Sequence, residues 1–236
     1  MLSGTTISSI IAVALVFSLP TKAAPRQMMR RSTPELSLTA QLQIADTAID
    51  RYKLLSKDED FVYDFTNSTT PFANRETFPA LVGSGTSFSV GQLPACSMVY
   101  LHLHPRATEL FVLNSGRVLT QMVPEAGVLD SEGKQRVINT ELGPGKMTIF
   151  PAGSFHTQVN PDCEPANFTA AFSAEDFGFG LVAQETFSLS DDAIAATFGQ
   201  SIAGEDIDKV RDAIPTDAVI KVEQCLTKCG KQKRHI

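Results

Sequence analysis

Residues 61–187 fall into short runs in which apolar and polar residues alternate, with Gly, Pro or Asn between the runs. The runs are 87–90, 98–104, 109–113, 117–123, 147–150, 156–160 and 169–172, and Phe61, Tyr63 and Phe65 alternate ahead of them. A period of two marks a strand with one buried face. Many short strands separated by turns predict an all-β sandwich or barrel. The flanks follow another period. Leu42, Ala45, Ile49 and Tyr52 recur at helical spacing and predict one amphipathic helix over 39–55. Behind the strands, Ser190 can cap a helix running to Phe198 with Gly199 as its stop. A second helix is expected over 205–214, closed by Pro215, and a third over 217–229. A single sandwich does not need these helices for its own core, so they read as arms for assembly.

The chain has 236 residues, 43% of them hydrophobic and 19% charged, which excludes wholesale disorder. A net charge of −6 argues against a nucleic-acid partner. Residues 10–19 (IIAVALVFSL) have the length of a secretory h-region and are too short to span a bilayer. Ala23 and Ala24 suit signal peptidase, although no Lys or Arg precedes the run. The expected organisation is a signal peptide over 1–24 and a linker or short propeptide over 25–36, with Arg30-Arg31 as a candidate processing site. A barrel with its leading helix follows over 37–188, then C-terminal helices and a basic tail over 189–236. No other stretch is apolar enough to cross a membrane. Asn67-Ser-Thr69 and Asn167-Phe-Thr169 are N-glycosylation sequons, in keeping with a secreted, extracellular or cell-wall protein.

The chemistry is concentrated in three of the four histidines. On a strand, His102 and His104 project from one side. Pro105 ends regular pairing, and Asn114-Ser115-Gly116 closes the next strand, so Glu109 can bring a carboxylate round to the two imidazoles. Such a set is a metal site with open positions. After the turn at Pro151-Ala-Gly153, His156, Gln158 and Asn160 share a strand face, and His156 can supply a third imidazole if its strand lies beside that of His102.

These two segments resemble the paired motifs of the cupin superfamily. The first motif, G-x5-H-x-H-x4-E-x6-G, is matched through Gly116 except that Cys96 replaces its leading Gly; the second, G-x5-P-x-G-x2-H-x3-N, is matched by Gly145, Pro151, Gly153, His156 and Asn160. The run from His104 to Glu109, HPRATE, narrows the resemblance to germins, germin-like proteins and the spherulin type. That resemblance implies a double-stranded β-helix (jelly-roll) barrel holding manganese, with Fe2+, Zn2+ or Cu2+ as alternatives. The implied ligands are His102, His104, Glu109 and His156. They leave a divalent ion with a single net positive charge and, if octahedral, two positions for dioxygen, superoxide or a small carboxylate. The resemblance also implies a homo-oligomer, a trimer or hexamer.

Oxalate-oxidising germins present two asparagines where this chain has Val99 and Ser89. Valine has no polar atom for a carboxylate and serine only a short hydroxyl, so oxalate oxidation is disfavoured. Met98, Tyr100, Phe111, Leu113, Phe155 and Asn160 are the expected pocket lining, greasier than in a typical germin. Three functions compete. The first is a manganese oxidase or superoxide dismutase, and the second a non-catalytic spherulin-like stress or wall protein. The third is a cupin isomerase or cyclase acting on an apolar molecule. In the cupin barrel the strands before Cys163 and after Cys96 are antiparallel neighbours, so the resemblance implies a Cys96–Cys163 disulfide. Cys225 and Cys229 are four apart, a spacing at which helical Cβ atoms point alike, and they pair with each other only if the helix end frays, or else with other chains.

Overall fold

The computed structural model describes residues 35–230. The expected signal peptide, most of the linker with Arg30-Arg31, and most of the basic tail lie outside the described residues. The seven strands expected from alternation are present: β2 (Ser87–Leu93), β3 (Ser97–Leu103), β4 (Glu109–Ser115), β5 (Val118–Val123), β7 (Met147–Phe150), β8 (Phe155–Asn160) and β9 (Ala166–Phe172). Short strands join them at β1 (Phe72–Ala73), β6 (Ile138–Leu142), β10 (Gly180–Leu181) and β11 (Val219–Lys221). One sheet has the order β1-β2-β9-β4-β7; the other has the order β10-β3-β8-β5-β6, with β11 also paired to β3. All pairs are antiparallel. The two sheets form the jelly-roll barrel that the resemblance implies, and Leu93, Phe111, Leu113, Val118, Phe150 and Phe172 are part of its buried core.

Turn chemistry fixes the barrel ends. Gly116 follows β4 at φ 85°, and a Cβ there would come within 2.9 Å of the Ala166 backbone, so only glycine fits. At the far end of β8, Asn160 is fully buried and its Nδ2 donates to the carbonyls of Leu93, Pro94 and Glu164. Its Oδ1 accepts from Asp162 N–H, so one side chain ties three segments together.

The leading helix is two helices, α1 (Leu38–Ile44) and α2 (Ala48–Leu54). Thr47 divides them because its hydroxyl accepts from Asp50 N–H and starts a new helix. Leu42 of the expected face is fully buried, whereas Ile49 and Tyr52 are exposed. Phe61, Tyr63 and Phe65 do not form a strand. A 3-10 turn covers Asp58–Phe61, and the Asp64 carboxylate accepts from Thr66 N–H, which favours a turn over a ladder.

Behind the barrel stand α3 (Val182–Phe187), α4 (Asp191–Thr197), α5 (Glu205–Ala213) and α6 (Glu223–Lys228). Ser190 caps α4 by accepting from Ala193 N–H, and Gly199 follows at φ 62°. Phe187, Ile194, Ala195 and Ile207 give these helices a small core of their own. The third expected helix begins only at Glu223. Before it, β11 rejoins the barrel at β3, so this end of the chain is not a free arm.

The expected Cys96–Cys163 bond does not form. Cys96 pairs with Cys225 and Cys163 with Cys229. Cys96 and Cys163 do sit at the same end of the barrel, where Cys96 N–H donates to the Asp162 carbonyl. Cys225 and Cys229 lie a helical turn apart, so α6 presents both sulfurs side by side and each takes one barrel partner.

Candidate metal centre

His102 lies on β3 and His104 just past its end, Glu109 opens β4, and His156 lies on β8 directly opposite His102 in the ladder. One potential ligand atom from each of the four falls within 4.8 Å of the others, and all four side chains are buried. The other such cluster among the described residues, Cys96, Cys225 and Cys229, is held in disulfides.

Each imidazole is fixed from behind. Nδ1 of His102 meets the Tyr100 carbonyl at 2.8 Å, Nδ1 of His104 the Gly178 carbonyl at 2.7 Å, and Nδ1 of His156 the Ser154 carbonyl at 2.9 Å. A carbonyl only accepts, so Nδ1 carries the proton and Nε2 keeps its lone pair. Rings hold the orientation: Phe179 stacks on His102 at 4.6 Å, Phe150 on His156 at 4.1 Å, and Phe172 and Phe177 meet His104 edge-on. Backbone carbonyls behind imidazoles are the usual outer shell of metal-bound histidine.

The front of the site fits a cation. Oε2 of Glu109 lies 3.0 Å from His104 Nε2 and 3.1 Å from His156 Nε2. Neutral nitrogens and a carboxylate oxygen, all with lone pairs, repel at that distance unless a proton or a metal stands between them. Neighbouring ligands of an octahedral ion with bonds of ~2.1 Å lie ~3.0 Å apart, the spacing seen here. Burial, with His156 close by, brings His102 down to about 3, so this imidazole is neutral over the physiological range. In the metal-free protein a proton held between these groups takes the place of an ion: burial opposes the charge on Glu109, but hydrogen bonding with His104 and His156 outweighs it and holds the carboxyl down at about 2.

A cavity of about 260 Å³ adjoins the cluster, with His102, His104 and Glu109 in its wall. Of the expected lining residues only Phe111 borders it. For Met98 and Tyr100 the cause is a bulge. Val99 pairs with Gln158 and His102 with His156, so three steps on β3 face two on β8 and the alternation changes phase. Val99 therefore turns inward with His102. Tyr100 turns the other way, its hydroxyl reaching the Pro215 carbonyl at 3.5 Å, and Met98 does not border the cavity. Leu113 is sealed in the core, Phe155 points outward because His156 points in, and Asn160 is occupied in its backbone ties. Phe72, Phe168, Phe172, Phe179 and Gln158 complete much of the wall. Alternation along β9 and β8 could have found Phe168, Phe172 and Gln158; nothing local announced Ala218 and Val219, which also border the cavity. Ser89 and Val99, the residues in place of the two germin asparagines, both line it.

The profile of the family described as Cupin matches residues 52–203. The chain belongs to the cupin family. Within it, this cupin is 34% identical to Spherulin-1A of Physarum polycephalum over 84% of its own length and 80% of that protein. It is 32% identical to Germin-like protein 9-3 of Oryza sativa subsp. japonica over 55% of its length and 58% of that protein. These similarities support the spherulin- and germin-type branch. A solved structure of oxalate oxidase superposes with a TM-score of 0.56 at 18% identity, covering 66% of this chain and 81% of that one, a likeness of fold.

Proposed function

We propose that this cupin is a secreted protein that holds manganese at His102, His104, Glu109 and His156 and acts on a small dioxygen species, superoxide foremost. The observation that carries this reading is the set of imidazoles whose Nδ1 atoms are all committed to backbone carbonyls, two of them with Nε2 set about one Glu109 oxygen. A manganese ion there would supply one-electron oxidation and reduction. The chain's own part is to orient the donors and to keep water scarce with Phe72, Phe111, Phe168, Phe172 and Phe179. Val99 and Ser89 offer little to a dicarboxylate, so oxalate is a poor fit, whereas a diatomic anion needs no further polar contact. Two disulfides suit an oxidising compartment. Among the described residues no helix is long and apolar enough to cross a membrane. The exposed sequons at Asn67 and Asn167 would carry glycans.

One observation favours a second reading. Gln158 is buried in the cavity wall and its Oε1 has no hydrogen-bond partner. An organic ligand with an apolar body and one hydroxyl or amine would satisfy it, either as substrate of an isomerase or cyclase or as the cargo of a non-catalytic spherulin-like protein. With a volume of about 260 Å³ the cavity limits such a ligand to a small one.

The test is to secrete the full chain, measure bound metals by elemental analysis, and assay superoxide and oxalate turnover beside His104→Ala. Stoichiometric manganese with superoxide turnover, both lost in the variant, is the expected result. Full occupancy with no turnover moves the case to the second reading, and absence of any bound divalent metal overturns the first.

A further inference from the structure

The cavity lies where the two sheets meet at their edges. On one side its wall is Pro71 and Phe72 beside β2; on the other it is Val99 of β3 together with Ala218 and Val219 of the C-terminal segment. Strand β11 fills the edge of β3 next to the cavity, pairing Val219 with Val99, Ile220 with Met98 and Lys221 with Ser97. Two flanking hydrogen bonds extend the contact, Tyr100 N–H to the Ala218 carbonyl and Val222 N–H to the Cys96 carbonyl. This segment therefore supplies the cavity wall at the seam between the sheets.

Beyond this ladder and a bond from Lys221 Nζ to the Ala95 carbonyl, the segment buries little besides sulfur. From Val219 onward its buried side chains are Cys225 and Leu226, with Ile220 partly buried and Val222 and Cys229 partly buried against Cys96. The main core of the barrel is drawn from residues 93–177 and uses none of them. A three-residue edge strand and a six-residue helix are too short to persist without tertiary support. Cys96–Cys225 and Cys163–Cys229 supply that support at two points one helical turn apart. Cys163 and Cys229 are partly exposed, whereas Cys96 is fully buried, so a thiol reductant reaches the outer bond first.

We infer that residues 218–229 are a redox-sensitive latch: while both disulfides stand, β11 closes the seam over the cavity, and their reduction by a dithiol opens it. Each protein disulfide takes up two electrons and two protons to become two thiols, and each dithiol closes to its cyclic disulfide. Two dithiols therefore clear both bonds. The latch needs no metal; its effect on access to manganese rests on the function proposed above.

Hydrogen–deuterium exchange on the full-length, metal-free protein, oxidised and after dithiothreitol, tests the latch, with the four thiols counted by alkylation. The amides of Tyr100 and Val222 are expected to exchange at least about tenfold faster after reduction, while those of Leu110 and Val112 in β4 stay within about twofold. A Cys225→Ser/Cys229→Ser variant should show the open pattern without reductant. In manganese-loaded protein, EDTA should remove the ion faster after reduction. Unchanged Tyr100 and Val222 protection with four free thiols would overturn the latch. Parallel loss of protection in β4 would also overturn it, because the bonds would then staple the whole barrel. If no manganese binds, the functional proposal fails while the exchange data still decide the latch.

Discussion

His102 shows how a single buried side chain governs the metal-free protein. Its imidazole is brought down to about 3 by burial from an ordinary 6.5, so the unfolded chain takes up a proton that the folded chain refuses. The stability this provides is complete above pH ~6.5 and is lost as the pH falls from there towards 3, by about 1.4 kcal/mol per pH unit. Glu109, held down at about 2, adds a second loss at more acid pH. Urea midpoints of the metal-free protein at pH 7, 5.5 and 4 should therefore fall steadily. Constant midpoints across that range would mean that His102 is not buried as a neutral base. At Val99 and Ser89 the expectation concerns selectivity. Val99→Asn combined with Ser89→Asn gives the cavity two amides, and calorimetry on manganese-loaded protein should find oxalate bound about tenfold tighter, roughly 1.4 kcal/mol. No change would show that these positions do not select the ligand.

Among the elements, β8 and β3 show what local sequence can and cannot state. The four clustered residues were legible because H-x-H and the later His156 place imidazoles on predictable strand faces, and Glu109 follows a forced turn. The lining on β3 was not, because the bulge between Val99 and His102 is a property of two strands together and changes the phase of every residue before it. The disulfide pairing failed for a related reason. Neighbouring strand ends do bring Cys96 and Cys163 to one place, but the partners arrive on α6 from far along the chain. The helix over 39–55 had the right period and missed the hydroxyl of Thr47 that interrupts it. Asn160 was read as lining and is a tie instead. Asn160→Ala removes the side-chain donor from the Leu93 and Glu164 carbonyls, while Pro94 keeps Ser97 Oγ, and should cost about 2–4 kcal/mol in urea unfolding, with metal stoichiometry retained. A loss below about 0.5 kcal/mol would refute that role.

For the whole molecule, the outer face of the β2-β9-β4-β7 sheet is unusually apolar. Phe88, Ala171, Leu110 and Ile149 form one row across the four strands, and Val90, Thr169, Val112 and Met147 form the next. Phe88, Val90, Leu110, Met147 and Ile149 are all exposed in the single chain. This face suits the homo-oligomer expected from the resemblance better than the helices behind the barrel, which bury a core of their own. Met147→Glu with Ile149→Lys should lower the sedimenting mass to that of one chain without loss of bound metal. An unchanged mass would return the interface to the helices. The carbonyls of Tyr100, Ser154 and Gly178 have a consequence for how such an assembly matures. Because the main chain already aims every imidazole, the empty protein needs no ion as a template. Folding and filling can then be separate events, so the ion taken up depends on the supply met at filling as well as on the affinity of this donor set.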